Sequence, residues 1–269
     1  MRGFAFGYDW PWSSAMVSNS TSIMPTVMPA QPVTRRTLIA AGLMSAAGHP
    51  LAAPTAVPLA LDENTTLPRA LDLLAPDLDF TWSTQTMPWA RVLNVVERGE
   101  SIGMNVGYSR SREARFVFSE PIFIKRAWMF VKKTDNLQFK GFADLQRRRL
   151  CVRRNVSYGD AFEAAADRDY QLVAVDIPLE GRLRMILNDR CDITLLSSGE
   201  THPGRAERRL AKWPDLATDV RVVPTPMATQ TSHFVALKGS PLTQHLPVLN
   251  RAIRRHHEAL KALFAADGE

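Results

Sequence analysis

The chain is short of cysteine, of clustered positive charge and of charge near its start. It has two cysteines, Cys151 and Cys191, in 269 residues. Two thiols so far apart give no zinc-ligand spacing, so a structural zinc site is excluded. No Gly-x-Ser-x-Gly turn occurs, which removes the nucleophile elbow of the α/β hydrolases. Lys and Arg number 33 against 27 Asp and Glu, a formal charge of +6. These cations form no long block, which argues against a nucleic-acid partner. No internal repeat is visible.

The scarcity of charge over residues 1–53 is informative. That stretch holds Arg2, Asp9, Arg35 and Arg36 as its charged groups. Thr34-Arg35-Arg36-Thr37 precedes an apolar stretch, Leu38 to Ala47, and then Leu51-Ala52-Ala53. This is the order of an export signal, and its apolar part is far below the roughly 20 residues that span a bilayer. The paired arginines point to the twin-arginine route, although Leu38-Ile39 departs from its preferred Phe-Leu; the general secretory route is the other reading. Residues 1–27 are unusual ahead of such a signal, and Met24 or Met28 is the expected start. The reading is therefore 1–53 as an over-extended export signal and a periplasmic mature protein. In that oxidising compartment Cys151 and Cys191 either form one disulfide or remain two buried thiols.

The remainder has ordinary globular composition, the whole chain being 45% hydrophobic and 22% charged. Val57–Leu61, Asp79–Ser83 and Ile102–Val106 read as strands. Between them, Leu67–Leu74 and a segment opened by Pro88-Trp89 and ended by Gly99 carry apolar residues at helical spacing. A second round follows Ala127–Lys133: strands at Leu150–Val152, Tyr170–Val175 and Cys191–Leu196, helices at Tyr158–Ala166 and Leu179–Leu187. Alternation of this kind predicts parallel α/β layers. Val220–Val223 and His233–Leu237 are late strands. One closing helix is expected, with Leu246, Leu249, Ile253, Leu260 and Leu263 on a stripe. His256 and His257 sit beside it, but adjacent helical residues point about 100° apart, so no metal pair results.

From Pro88 to Asp192 the sequence resembles the bacterial periplasmic solute-binding proteins of family 3, the amino-acid-type substrate-binding proteins of ABC transporters. PWARVLNVVERGE, SRSREARFVFSEPIF, KGFADLQRRRLCVRRNVSYGDAF, NDRCDITLL and SHFVALKGSPLTQHLPVLNRAI resemble the family's segments in the family's order. The resemblance implies an α/β, two-lobed type 2 periplasmic-binding-protein fold, each lobe a mostly parallel sheet flanked by helices, with two crossing strands between. It places lobe one at 54–128 plus 233–269, lobe two at 129–232, and hinges near 128–133 and 229–234. It also implies a non-enzyme without cofactor or metal. Its expected partners are a small anionic solute and an inner-membrane ABC permease, with the protein a monomer.

The same resemblance locates candidate ligand contacts. Arg112, six residues before Phe118, stands where the family grips a carboxylate, a task suited to a planar guanidinium. Ser109 stands at the neighbouring Thr. Ser157 matches a Thr/Ser at a helix N-terminus, where backbone N–H groups suit an anion and where Ser157 with Asp160 also reads as an ordinary cap. Asn155 replaces a Gly and tolerates the left-handed backbone. Trp89 and Tyr158 are the aromatics expected near the cleft. The family's ammonium-binding Asp falls on Ser197, with Glu200 the nearest carboxylate. An anionic solute is thus expected and an α-amino acid is not. A sensory or partner-binding role on the same fold is the alternative. Ser198, Glu200 and His202 lie close in sequence, but proximity in sequence does not make a catalytic triad.

Overall fold

In the computed structural model the described residues are 55–63 and 66–266. The predicted export signal lies outside them. Strand β1 (Thr55–Leu61), helix α1 (Thr66–Leu74), β2 (Phe80–Thr86), α2 (Trp89–Glu97) and β3 (Ile102–Gly107) follow one another as the apolar periodicity predicts. β1 pairs in parallel with both β2 and β3. The helices cover the sheet with the stripes that periodicity identified: Leu67, Ala70, Leu71 and Leu74 on α1, Trp89, Val92, Leu93 and Val96 on α2. Gly99, at φ +72°, turns the chain out of α2.

A second parallel set is built from β6 (Arg148–Arg153), α4 (Asp160–Ala165), β7 (Tyr170–Val175), α5 (Leu179–Leu187) and β8 (Ile193–Ser198). Here β6 lies between β8 and β7. Two long antiparallel strands, β5 (Phe123–Lys132) and β10 (Ala228–Leu237), join the sets. They pair with each other from Phe123 opposite Ser232 to Ala127 opposite Ala228. Beyond that pairing β5 runs on to β8 and to β9 (Val220–Val222), while β10 runs back to β3 and β4 (Phe116–Phe118). The result is an α/β fold of two lobes joined by two crossing strands. Each lobe has its own buried cores, one pair centred on residues such as Leu59, Ile102 and Val92, the other on Met129, Leu150 and Phe130.

Three local expectations differ from what folds. The closing helix is two, α8 (Leu246–Arg255) and α9 (His257–Ala266), broken at His256, whose Nε2 lies 2.6 Å from Asp77 Oδ2. The stripe continues across the break, through Leu260 and Phe264. β5 begins four residues before the apolar run that announces it, because Phe123–Arg126 pairs with β10 rather than lying in a lobe's interior. Helix α6 (Gly204–Ala211) has no counterpart among the expected elements; it buries Ala206 and Leu210, one turn apart, among charged neighbours. The short α3 (Arg110–Glu113) and α7 (Pro214–Ala217) complete the fold.

Candidate ligand cleft

In a parallel sheet, ligands bind beyond the carboxyl ends of strands whose connections leave in opposite directions. The order β2-β1-β3 puts that point between β1 and β3, and the order β8-β6-β7 puts it between β6 and β8. The chain leaving β3 makes the single turn of α3, which folds Arg112 back beneath Gly107. Arg112 is 6% exposed. Its Nη1 donates to Gly107 O at 2.9 Å and its Nη2 to Asn155 O at 2.7 Å, in the other lobe. Its guanidinium carbon stands 5.9 Å from the Trp89 ring centroid, and Trp89 Nε1 donates to the same Asn155 O at 3.0 Å. Asn155 has φ +60°, the left-handed backbone expected of an Asn at that turn. Burial pushes the Arg112 pKa down to about 10, against the pull of Glu163. Among the described residues no carboxylate forms an ion pair with this buried cation.

A chain of hydroxyls and one carboxylate runs beside it. Ser109 Oγ is 2.9 Å from Ser111 Oγ, Ser111 donates to Glu163 Oε2 at 3.2 Å, and Ser157 donates to Glu163 Oε1 at 2.6 Å. Ser109 and Ser157, from different lobes, are thus linked through two other side chains. Ser157 is not the cap of α4. Gly159 holds that position at φ +97°, and Ser157 Oγ accepts from its N–H. The first turn of α4 already carries Asp160 and Glu163, and Asp160 Oδ1 accepts from Arg110 N at 2.8 Å. Gln230 of β10 donates to Ser157 O at 2.7 Å, its side chain lying against Gly107, where an added Cβ would stand 2.4 Å from Gln230 Oε1. The Arg110 and Arg115 side chains stay at the rim, paired with Asp160 and Glu97.

The other candidates lie elsewhere. Tyr158 is a core residue of the second lobe, its ring 4.9 Å from that of Phe162, and burial pushes its pKa up to about 12. Ser197, half-buried on β8, pairs with Ala127 of β5 and supplies no charge. Glu200 is not brought to Arg112. It is buried at the start of α6, where it accepts from Arg205 N and pairs with Arg208. Cys151 and Cys191 face one another with Cα atoms 5.9 Å apart, within the range a disulfide spans. A surface cavity of about 380 Å³ at the opposite ends of β6 and β8 has Asp135, Asp189 and Asp192 in its wall, each already paired with a Lys or Arg.

Two cleft groups escaped sequence reasoning. Lys125 of β5 donates to Asn105 O at 3.1 Å and lies 3.4 Å from Asn105 Oδ1; Asn105 itself has φ +67° within β3. Asp62, just past β1, has a buried Oδ1 without a partner, and its Oδ2 lies 3.8 Å from Arg153 of the second lobe. The available signal was two charges, Lys125 and Arg126, in a strand otherwise apolar through Val131.

Burial, helped by Arg112 and opposed by Asp62, pushes the Lys125 amine down to about 7. An unfolded lysine keeps its proton to about pH 10.4. Between these values the unfolded chain binds the extra proton, so stability rises with pH from about 7 to 10 and is lowest below 7, where the folded state holds a buried cation. Melting curves of wild type and Lys125→Met are expected to converge as pH rises through that window. Parallel curves would show that Lys125 is solvated and fully charged.

No protein-family model matches the chain, and no curated protein matches it in sequence. Solved structures do match in fold. The arginine-binding protein ArgBP of T. maritima, as its P235GK mutant, is 14% identical with a TM-score of 0.61, over 79% of this chain and 96% of that one. The amino acid ABC transporter substrate-binding protein AbpA of Streptococcus pneumoniae, bound to L-arginine, is 14% identical with a TM-score of 0.61, over 79% and 94%. The VFT2 domain of Bordetella pertussis BvgS is 15% identical with a TM-score of 0.61, over 78% and 92%. The two-lobed α/β fold of these structures is the fold of this chain. No helix among the described residues is long and apolar enough to cross a membrane.

Proposed function

We propose that the chain is a periplasmic solute-binding protein that captures a small carboxylate-bearing solute between its lobes and delivers it to an ABC-type importer. One observation carries this reading. Arg112 is a buried cation at the interlobe seam, met by two neutral carbonyls and a ring face but by no counter-ion. A buried charge is costly unless paired, and an anionic ligand supplies the missing partner. Lys125 near it supplies an amine that an anionic ligand would hold in its charged form. The fold supports closure of two lobes over a solute. The lobes then divide near the paired segments Phe123–Ala127 and Ala228–Ser232, where both strands cross. Export by the residues 1–53 signal, a monomeric state, and an inner-membrane permease partner belong to the same proposal.

The test is native mass spectrometry of the purified protein for a retained small molecule, followed by thermal shift with sodium salts of small carboxylic and amino acids. A ligand at a hundred times its Kd is expected to raise the melting temperature by roughly 5 °C or more. No retained molecule and no shift with any carboxylate would overturn the reading.

A sensory or partner-binding role is favoured by a different observation. The lobes are already clasped by their own groups, through Arg110–Asp160, Ser111–Glu163, Gln230–Ser157 and Arg153–Asp62. A protein that holds itself shut without a solute serves that role, and it would give the silent result above.

A further inference from the structure

Arg182 lies on the inward face of α5, with Leu179, Leu183 and Ile186, and is 3% exposed. Its Nη2 donates to Leu195 O of β8 at 3.1 Å. Its Nε and Nη1 are buried and have no partner. Buried polar groups in folded proteins are almost always satisfied, and an exception calls for an explanation, an ion or other bound group being one. A guanidinium with two idle donors is a demanding exception, since it is charged as well as polar.

The surroundings identify what is missing. The groups that act on the charge of Arg182 are Tyr158 and Arg153, and no carboxylate is among them. Arg153 closes β6 and reaches Asp62 of the other lobe. Arg182 therefore sits under the carboxyl ends of β6 and β8, the switch point of the second lobe, with a second cation beside it. The groups acting on Arg112 are Glu163, Arg115 and Glu97. The two guanidiniums thus have different charged neighbours and different hydrogen-bond partners.

We propose that Arg182 receives a second acidic group of the solute, so that the cleft selects a small dicarboxylate over a monocarboxylate of the same length. This rests on the reading of the cleft as a solute site. Arg112 holds one carboxylate from the first lobe, and Arg182, with Arg153 at its mouth, holds the other from the second. Ser197 adds no carboxylate on β8, and the second-lobe carboxylates at the seam, Asp160 and Glu163, are already engaged by Arg110, Ser111 and Ser157.

The experiment is calorimetric titration of the full chain with succinate against butyrate and glutarate against valerate, on wild type, Arg182→Met and Arg182→Lys. Wild type is expected to prefer each dicarboxylate at least tenfold. In Arg182→Met that ratio falls to near one, and Arg182→Lys keeps part of it. Without ligand, Arg182→Met is expected to melt no lower than wild type, because it removes a buried charge that lacks acceptors. An unchanged ratio in Arg182→Met overturns the proposal. So does a large fall in its melting temperature, which would make Arg182 a structural residue. Equal wild-type affinity for di- and monocarboxylates overturns the second acidic group and leaves the cleft reading intact. Wild type that binds none of the four overturns the dicarboxylate proposal, while the cleft reading is decided by the wider screen of carboxylic and amino acids.

Discussion

Replacing Arg112 by lysine is expected to weaken binding of a small carboxylate by roughly 10- to 150-fold, the loss of one charge-assisted hydrogen bond worth about 1.5–3 kcal/mol. Lysine keeps the charge but not the planar fork, so the variant separates geometry from electrostatics. Arg112→Ala removes both and is expected to abolish the ligand-induced thermal shift. The alanine variant also removes the donor to Gly107 O and one of the two donors to Asn155 O, leaving the one from Trp89 Nε1. Each variant's shift is therefore measured against its own unliganded melting temperature. A ligand-induced shift in Arg112→Ala equal to that of wild type would sink the carboxylate assignment. A lower unliganded melting temperature alone would not, because it reports only the lost interlobe clasp.

The second large effect concerns Cys151 and Cys191. Both are buried, one in β6 and the other just ahead of β8, in the core that Trp128, Phe130 and Leu183 share. If they are bonded in an oxidising compartment, the link closes a loop across a sequence separation of 40. The chain-entropy model then gives about 4 kcal/mol of stabilisation, a figure that depends on that model. Urea unfolding with and without reductant is expected to show a clear drop in midpoint on reduction, with little change in the position of Arg112 or its partners. Alkylation of both thiols in unfolded, unreduced protein would identify them as free and remove the effect.

Much of the fold was legible because the packed elements announce themselves by period. The stripes of α1, α2 and α5 and the apolar runs of β3, β6 and β8 match their burial. Elements that pack little were not legible. The pairing of Phe123–Arg126 with β10 left no apolar signature, and α6 buries two of its eight residues. Within the cleft, Arg112 was found through the family pattern around Phe118, and its burial agrees with a role inside the protein. Arg182 had a readable signal that went unused, an arginine spaced three from Leu179 and four from Ile186 on an apolar face.

The sequence by itself determined the order of strands and helices, since burial of one face imposes a period on each segment independently of its partners. The resemblance, through an Asn at a family glycine, allowed the left-handed turn seen at Asn155. Only the tertiary structure decided which charges meet. Lys125, Asp62 and Arg112 lie far apart along the chain, and nothing local records that the fold brings them together. Arg112 is a buried cation with no paired carboxylate among the described residues, as Arg182 is within the second lobe, while Lys125 is half-buried. That imbalance arises from distances across the fold rather than from any local pattern of the chain.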